Sequence, residues 1–151
     1  MPFLTIRDVL NKVESFHEEF GRRLTSAEAT TENEEAKMML RFLGSHQQQL
    51  ADVLQNIEAD KEYDTATLRE WVQFDTEIED PVTYLAQFEI PKEATSDEVL
   101  TIANELDVCL FCLYKGLAQG GSTPKAQRLF ARLARMELEH QKMKQSHASY
   151  Y

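Results

Sequence analysis

The stretch "RMELEHQKM", residues 135–143, places Glu137 and His140 one helical turn apart. An earlier stretch, "RFLGSHQQQ", has the same spacing, but Leu43 stands where the acid would be and only His46 is kept. Residues three apart lie on the same face of an α-helix. The two stretches are therefore interpreted as equivalent helices, of which only the later one keeps the acid–histidine pair.

Apolar side chains recur at a spacing of about 3.6 residues over most of the chain, and no convincing alternation of period two is present. This pattern predicts four long helices at about residues 6–28, 32–59, 96–119 and 124–147. Thr5 is predicted to cap the first helix, Thr31 with Glu34 to form a capping box on the second, and Ser122 or Thr123 to cap the fourth, which has Pro124 at its first position. The third helix is apolar on nearly every side and should be the most buried.

The connection between the second and third helices, about residues 60–95, contains "TATLREWVQF" and "PVTYLAQF". Each of these stretches is interpreted as a short helical turn. Their aromatic residues suggest that the connection packs against the helices. A long connection of this kind is typical of a crossover between two helical hairpins.

The chain also has the signs of an internal duplication. A shift of 93 residues aligns Glu14 with Asp107, and a shift of 94 aligns His46 with His140. Two related helical hairpins joined by a long crossover form a four-helix bundle. The predicted fold class is therefore all-α, with residues 1–151 forming a single four-helix-bundle domain.

Composition excludes several classes of function. The formal net charge is -10, with 26 acidic against 16 basic residues, which argues against nucleic-acid binding and against an anionic membrane surface. No run of about 18 apolar residues is present, so no membrane span is predicted. Cys109 and Cys112 lie within a predicted helix, where we expect buried small residues and no disulfide. The N-terminus lacks a signal-peptide pattern, so a cytoplasmic location is expected.

Several polar residues fall on the apolar side of these helices, if each residue turns the helix by about 100°. They are Glu137 and His140 on the fourth helix, Asp107 on the third, His46 on the second, and on the first Glu14 at the edge of the stripe and His17 nearer its centre. An isolated carboxylate inside a dry bundle costs several kcal/mol. Metal coordination would explain the burial, and carboxylate with imidazole suits iron, manganese or zinc.

The order of an acid, an x-x-His, an acid and a Glu-x-x-His on four successive helices resembles the ferritin-like superfamily, and most closely the rubrerythrin-like di-iron carboxylate proteins. The segment "LYKGLA" adds to the resemblance, with Asp107 seven residues before Tyr114, and "FGRRLT" has Glu14 seven residues before Gly21. The resemblance implies a ferritin-like bundle. It implies iron ligands at Glu14, His46, Asp107, Glu137 and His140.

Two departures from the family pattern bear on function. Leu43 replaces a Glu that in the family bridges both irons, and Asp107 is one methylene shorter than the usual Glu. We therefore expect a degenerate dimetal site that holds one metal ion, iron or else zinc or manganese, without an organic cofactor. Any enzymatic activity would be an iron-dependent, oxidoreductase-type reaction. Whether His17 or Glu18 compensates for the missing acid stays open.

The alternative is a non-catalytic helical interaction or scaffold protein that has kept the bundle and lost the metal chemistry. Under that hypothesis the inward polar residues form a hydrogen-bonded relic. Under either hypothesis we expect a homodimer, because apolar outer helix faces and crossover residues offer more surface than one chain can cover. The crossover residues concerned are Trp71, Phe74, Tyr84, Leu85 and Phe88.

Overall fold

A computed structural model of the protein describes residues 3–59, 65–73, 89–120 and 123–148. The elements in chain order are β1 (Phe3–Thr5), α1 (Ile6–Thr30), α2 (Glu34–Ala59), α3 (Thr65–Leu68), β2 (Trp71–Gln73), α4 (Ser96–Gly120) and α5 (Pro124–Ala148). The four long helices agree with the predicted ones to within about two residues at each end. The all-α fold class predicted from the apolar periodicity is confirmed.

Side-chain caps explain where most of the long helices begin. Thr5 and Asp8 form a reciprocal capping box at the start of α1, and Thr123 accepts a bond from the Ala126 amide at the start of α5. The predicted box on the second helix is not formed. Thr31 ends α1 through its own backbone amide, and Asn33 accepts from the amide three residues on at 3.1 Å. The connection is so short that Thr31 cannot also start the next helix.

The helices pack as two hairpins, α1 on α2 and α4 on α5, and α2 lies against α4. Their apolar stripes meet in one core, with fully buried side chains such as Phe16, Leu43 and Leu110. The prediction that the third helix is the most buried is wrong, because α4 has eight buried residues, the same number as α1. On α4, Val108 is 51 % exposed, and Cys112, expected inside, is also exposed. No helix of the described residues is long and apolar enough to cross a bilayer.

A two-stranded sheet, which the sequence did not predict, ties the connection to the bundle. β1 pairs antiparallel with β2, and Leu4 lies opposite Val72. Next to this pair, the backbone carbonyl of Glu70 accepts a hydrogen bond from the Ile6 amide at 2.9 Å. The Glu70 side chain accepts another from the Thr123 hydroxyl at 2.9 Å. Strands of three residues are too short to show a period of two, so this pairing left no pattern in the sequence.

The two segments interpreted as helical turns have different outcomes. In "TATLREWVQF" the helix is limited to Thr65–Leu68, and Trp71–Gln73 is a strand. The second segment, "PVTYLAQF", lies outside the described residues, as do Phe74, Tyr84, Leu85 and Phe88. The expected packing of the connection on the bundle holds for its described part, since Leu68 and Val72 are buried.

Candidate metal centre

A group of polar side chains, here called the polar cluster, lies inside the bundle and connects all four long helices. It consists of His17 on α1, His46 and Gln47 on α2, Asn104 and Asp107 on α4, and Glu137, His140 and Lys144 on α5. Asn104 is half-buried, and every other member is at most 9 % exposed. Polar groups removed from water to this degree need partners, because an unmet hydrogen bond inside a protein costs several kcal/mol.

Within the polar cluster, an ammonium group contacts a carboxylate. Lys144 donates from Nζ to Asp107 Oδ2 and to Asn104 Oδ1 at 2.8 Å. His140 Nε2 lies 3.5 Å from the same Asp107 oxygen. Burial raises the pKa of Asp107, and the positive charge of Lys144 opposes that rise. The cluster therefore contains its own fixed cation.

The carboxyl group of Glu137 has unmet hydrogen-bonding capacity. It is fully buried, and neither carboxyl oxygen has a hydrogen-bond partner among the described residues. Burial raises the pKa of Glu137 well above its usual range, and the charge of Asp107 adds to the rise. The nearest titratable nitrogen is Nε2 of His17, 3.9 Å from Oε1. Tyr114, whose pKa is raised by burial and by Glu137, also has no partner for its hydroxyl among the described residues.

Burial favours the neutral form of two imidazoles of the cluster, His17 and His140. His17 Nδ1 lies 2.6 Å from Gln47 Oε1, and since an amide oxygen can only accept, Nδ1 carries the proton and Nε2 presents its lone pair. Burial lowers the pKa of His17 to about 4 and that of His140 to about 3. The rings of His140 and His46 lie 4.9 Å apart. A neutral imidazole oriented by a hydrogen bond on its other nitrogen is the form that binds metals.

The structure brings four of the five predicted ligands together: His46, Asp107, Glu137 and His140. The fifth, Glu14, is half-buried at the edge of α1, and its Oε1 accepts from Gln55 Nε2 at 2.6 Å. His17, one turn further along α1, occupies the place in the cluster that was expected for Glu14. The helical arc had placed His17 nearer the centre of the apolar stripe and Glu14 at its edge, whereas Glu14 was assigned as a ligand from the family resemblance.

Three members of the cluster were not identified from the sequence. Gln47 begins a run of three glutamines, a pattern typical of a partly solvated helix face, but it is 1 % exposed, while Gln48 and Gln49 are exposed. Lys144 and Asn104 were not considered at all. The available signal was that Lys144 lies four residues after His140 and thus on the same helix face. A long basic side chain usually reaches water, so this signal was weak.

The polar cluster does not fit a pair of metal ions. Leu43, at the position expected for a bridging acid, is fully buried and apolar, and the ammonium of Lys144 already contacts Asp107. A single ion fits the donor types, because the unpartnered buried atoms include both Glu137 oxygens, Nε2 of His17 and both ring nitrogens of His140. Within the described ranges no three His, Cys, Asp or Glu side chains converge on one point. Binding would therefore need side-chain rotation around Glu137.

Comparison with known proteins gives one informative result. No protein-family model matches the chain, and no curated protein matches it significantly. A solved structure from Thermotoga maritima, described as "a putative ferritin-like diiron-carboxylate protein", is similar over 97 % of this chain and 95 % of that chain, with 19 % identity and a TM-score of 0.62. At this identity the likeness establishes the fold. The predicted ferritin-like bundle is confirmed.

Proposed function

We propose that this cytoplasmic protein binds one metal ion, iron first among the candidates, in the polar cluster. The observation that carries the proposal is Glu137, a fully buried carboxyl group without a hydrogen-bond partner among the described residues. A cation next to Glu137 would stabilise the ionised carboxylate that burial otherwise disfavours. Bound iron would supply one-electron chemistry, consistent with a residual redox role.

The proposed ligand set follows from the contacts of the cluster. Glu137 and His140 are the anchor ligands, and His17 is added because its free Nε2 faces Glu137 at 3.9 Å. His46 is auxiliary through its contact with the ring of His140. Asp107 is a weaker candidate than the sequence suggested, because Lys144 holds one of its oxygens.

The remaining predicted ligand, Glu14, would have to leave Gln55 before it could contribute. We therefore treat it as an auxiliary ligand at most. A test of its role is simple, because Glu14→Gln keeps the hydrogen-bonding shape and removes the charge. Under the proposal, this variant keeps the metal ion.

The decisive experiment counts metal ions. After anaerobic reconstitution with Fe²⁺, we expect at most about one tightly held iron per chain by elemental analysis, and a rise in the thermal unfolding temperature. Glu137→Gln should abolish both effects, because it removes the negative charge that lies 3.9 Å from His17 Nε2. The matched control is Glu139→Gln on the exposed side of α5, which should bind like the wild type.

Two irons per chain would contradict the degenerate single-ion site. Absence of iron after reconstitution would instead favour a second candidate function, a non-catalytic helical scaffold. The observation in favour of that candidate is Lys144, which supplies a positive charge to Asp107 without any metal. In that case the polar cluster is a structural feature of the bundle core.

Under either function we propose that the chain forms a homodimer. Large apolar side chains remain exposed on several elements, among them Met38, Trp71, Val108, Leu138 and Met143. Trp71 is the most exposed of these at 63 %, and exposed apolar patches commonly mark association surfaces. A two-fold dimer is the commonest closed assembly.

Light scattering at micromolar concentration is expected to give twice the chain mass of 17.4 kDa. Trp71→Gln should shift the mass toward the monomer, because it removes the largest exposed apolar side chain of the described surface. Arg69→Gln, at an exposed position in the same segment, is the control and should leave the mass unchanged. A wild-type monomer at these concentrations would refute the dimer.

A further inference from the structure

Lys144 has an unusual position for a lysine. Its side chain is completely buried, although lysines normally extend their charged end to water. The ammonium contacts Asp107 Oδ2 and Asn104 Oδ1 at 2.8 Å, both on the neighbouring helix α4. Two oxygen atoms from successive turns of α4 therefore converge on one positive charge.

These surroundings are the ones that proteins use for divalent cations. A carboxylate oxygen and an amide oxygen are ligands of hard divalent ions. The Nε2 atom of His140, 3.5 Å from the same Asp107 oxygen, adds a donor that zinc, manganese and iron accept. Because Lys144 Nζ lies where these donors meet, an inorganic cation can reach Asp107 Oδ2 only by displacing it, whereas Asp107 Oδ1 has no hydrogen-bond partner among the described residues.

The internal repeat also associates Lys144 with the acidic residues of its own hairpin. A shift of 94 residues places Leu50 opposite Lys144 and Leu43 opposite Glu137. Leu50 and Leu43 are both buried. The hairpin that lacks the acid thus also lacks the lysine. Among the described residues, Lys144 is the one buried lysine, and it lies in the hairpin that contains Asp107 and Glu137.

We propose that Lys144 is a built-in cation that occupies a divalent-ion position between Asp107 and Asn104, and that it limits the number of metal ions the polar cluster can take. It acts by filling the position and by repelling a second cation from Asp107. This proposal does not depend on the ion proposed at Glu137. Whatever number of ions the wild type binds, removal of the Lys144 side chain is expected to add one.

The test is to empty the position. Lys144→Ala leaves Asp107 and Asn104 facing a vacated space, and Lys144→Leu removes the charge and the outer end of the side chain while keeping the packing of its inner carbons. Lys142→Ala, at an exposed position of the same helix, is the control. Each protein is titrated with Zn²⁺ and with Mn²⁺, the bound ions are counted after gel filtration, and thermal unfolding is followed with and without each metal.

We expect Lys144→Ala to bind one ion more than the wild type and to recover with Zn²⁺ the thermal stability that it loses without metal. The extra ion should disappear in Asp107→Asn/Lys144→Ala. Lys142→Ala should match the wild type in both measurements. If the wild type binds no ion and Lys144→Ala binds one, the proposal here is supported while the single-ion function fails.

The opposite result is equally clear. A folded Lys144→Ala that binds no more ions than the wild type, and whose unfolding temperature does not respond to zinc, overturns the proposal and leaves Lys144 as a structural ion-pair partner. If Lys144→Ala does not fold even with zinc present, Lys144→Leu, which also vacates the position of the ammonium group, decides by the same count. An extra ion in that variant supports the proposal, and an unchanged count overturns it.

Discussion

Asp107→Leu is expected to lower the free energy of unfolding of the metal-free protein by about 3–5 kcal/mol. The reason is that the substitution leaves the ammonium of Lys144, completely buried, without its carboxylate. Leucine has the branched shape of aspartate and a larger volume, so the substitution removes no packing. Chemical denaturation in the presence of a chelator measures the effect. Glu105→Leu, two residues away on the exposed side of α4, should change stability by less than about 0.5 kcal/mol.

A second substitution tests whether the unpaired charge of Lys144 causes this loss of stability. If the cost comes from the unpaired charge, Asp107→Leu/Lys144→Met should be considerably more stable than Asp107→Leu alone, because apolar side chains of similar volume often replace a buried ion pair without loss. The coupling energy from the double-mutant cycle should be large for groups in contact. A loss of less than about 1 kcal/mol in Asp107→Leu would show that the ammonium reaches water in solution.

The fold could be predicted from the sequence because its signals are long and redundant. Each long helix carries an apolar stripe over six or seven turns, and Thr5 and Thr123 mark the starts of two helices. The errors lie where the signals are short. The β1–β2 pair has three residues in each strand, and Asn33 rather than Thr31 caps α2 because Thr31 is used to end α1.

The polar cluster could be predicted only in part. Asp107, Glu137 and His140 lie in the middle of apolar arcs, so helical geometry alone pointed them inward. For Glu14 and His17 the arc favoured His17, but the family resemblance pointed to Glu14. In the structure, Gln55 bonds to Glu14 at the edge of α1, and Gln47 bonds to His17 inside the bundle. No pattern within one helix could have shown these partners, because both lie on α2.

Lys144 illustrates a different limit of sequence reasoning. Within its own helix, Lys144 is a basic residue near the helix C-terminus, where a positive charge is favourable. Its partners, Asp107 and Asn104, are 37 and 40 residues away along the chain. Only the packing of α5 on α4 shows that the ammonium is enclosed. The net charge of the polar cluster therefore cannot be judged only from the acid that is absent at Leu43.

The second large effect is expected at Leu43, the position where the family pattern has an acid. Leu43→Glu should lower the free energy of unfolding of the metal-free protein by about 3–5 kcal/mol, because it places an uncompensated carboxyl group at a fully buried position. The loss of leucine packing adds to this cost. Denaturation with a chelator present measures it, with Gln48→Glu at an exposed position of α2 as the control.

Iron should then restore stability to an extent that depends on Lys144. With Lys144 in place, its ammonium group still contacts Asp107 Oδ2, so Leu43→Glu alone should gain little iron. Leu43→Glu/Lys144→Ala should take up more iron than either single variant and show the absorption of an oxo-bridged pair. A Leu43→Glu protein with unchanged stability would mean that residue 43 does not face the core. A double variant without additional iron would mean that the two hairpins do not place their ligands close enough to share a metal pair, whatever their residues.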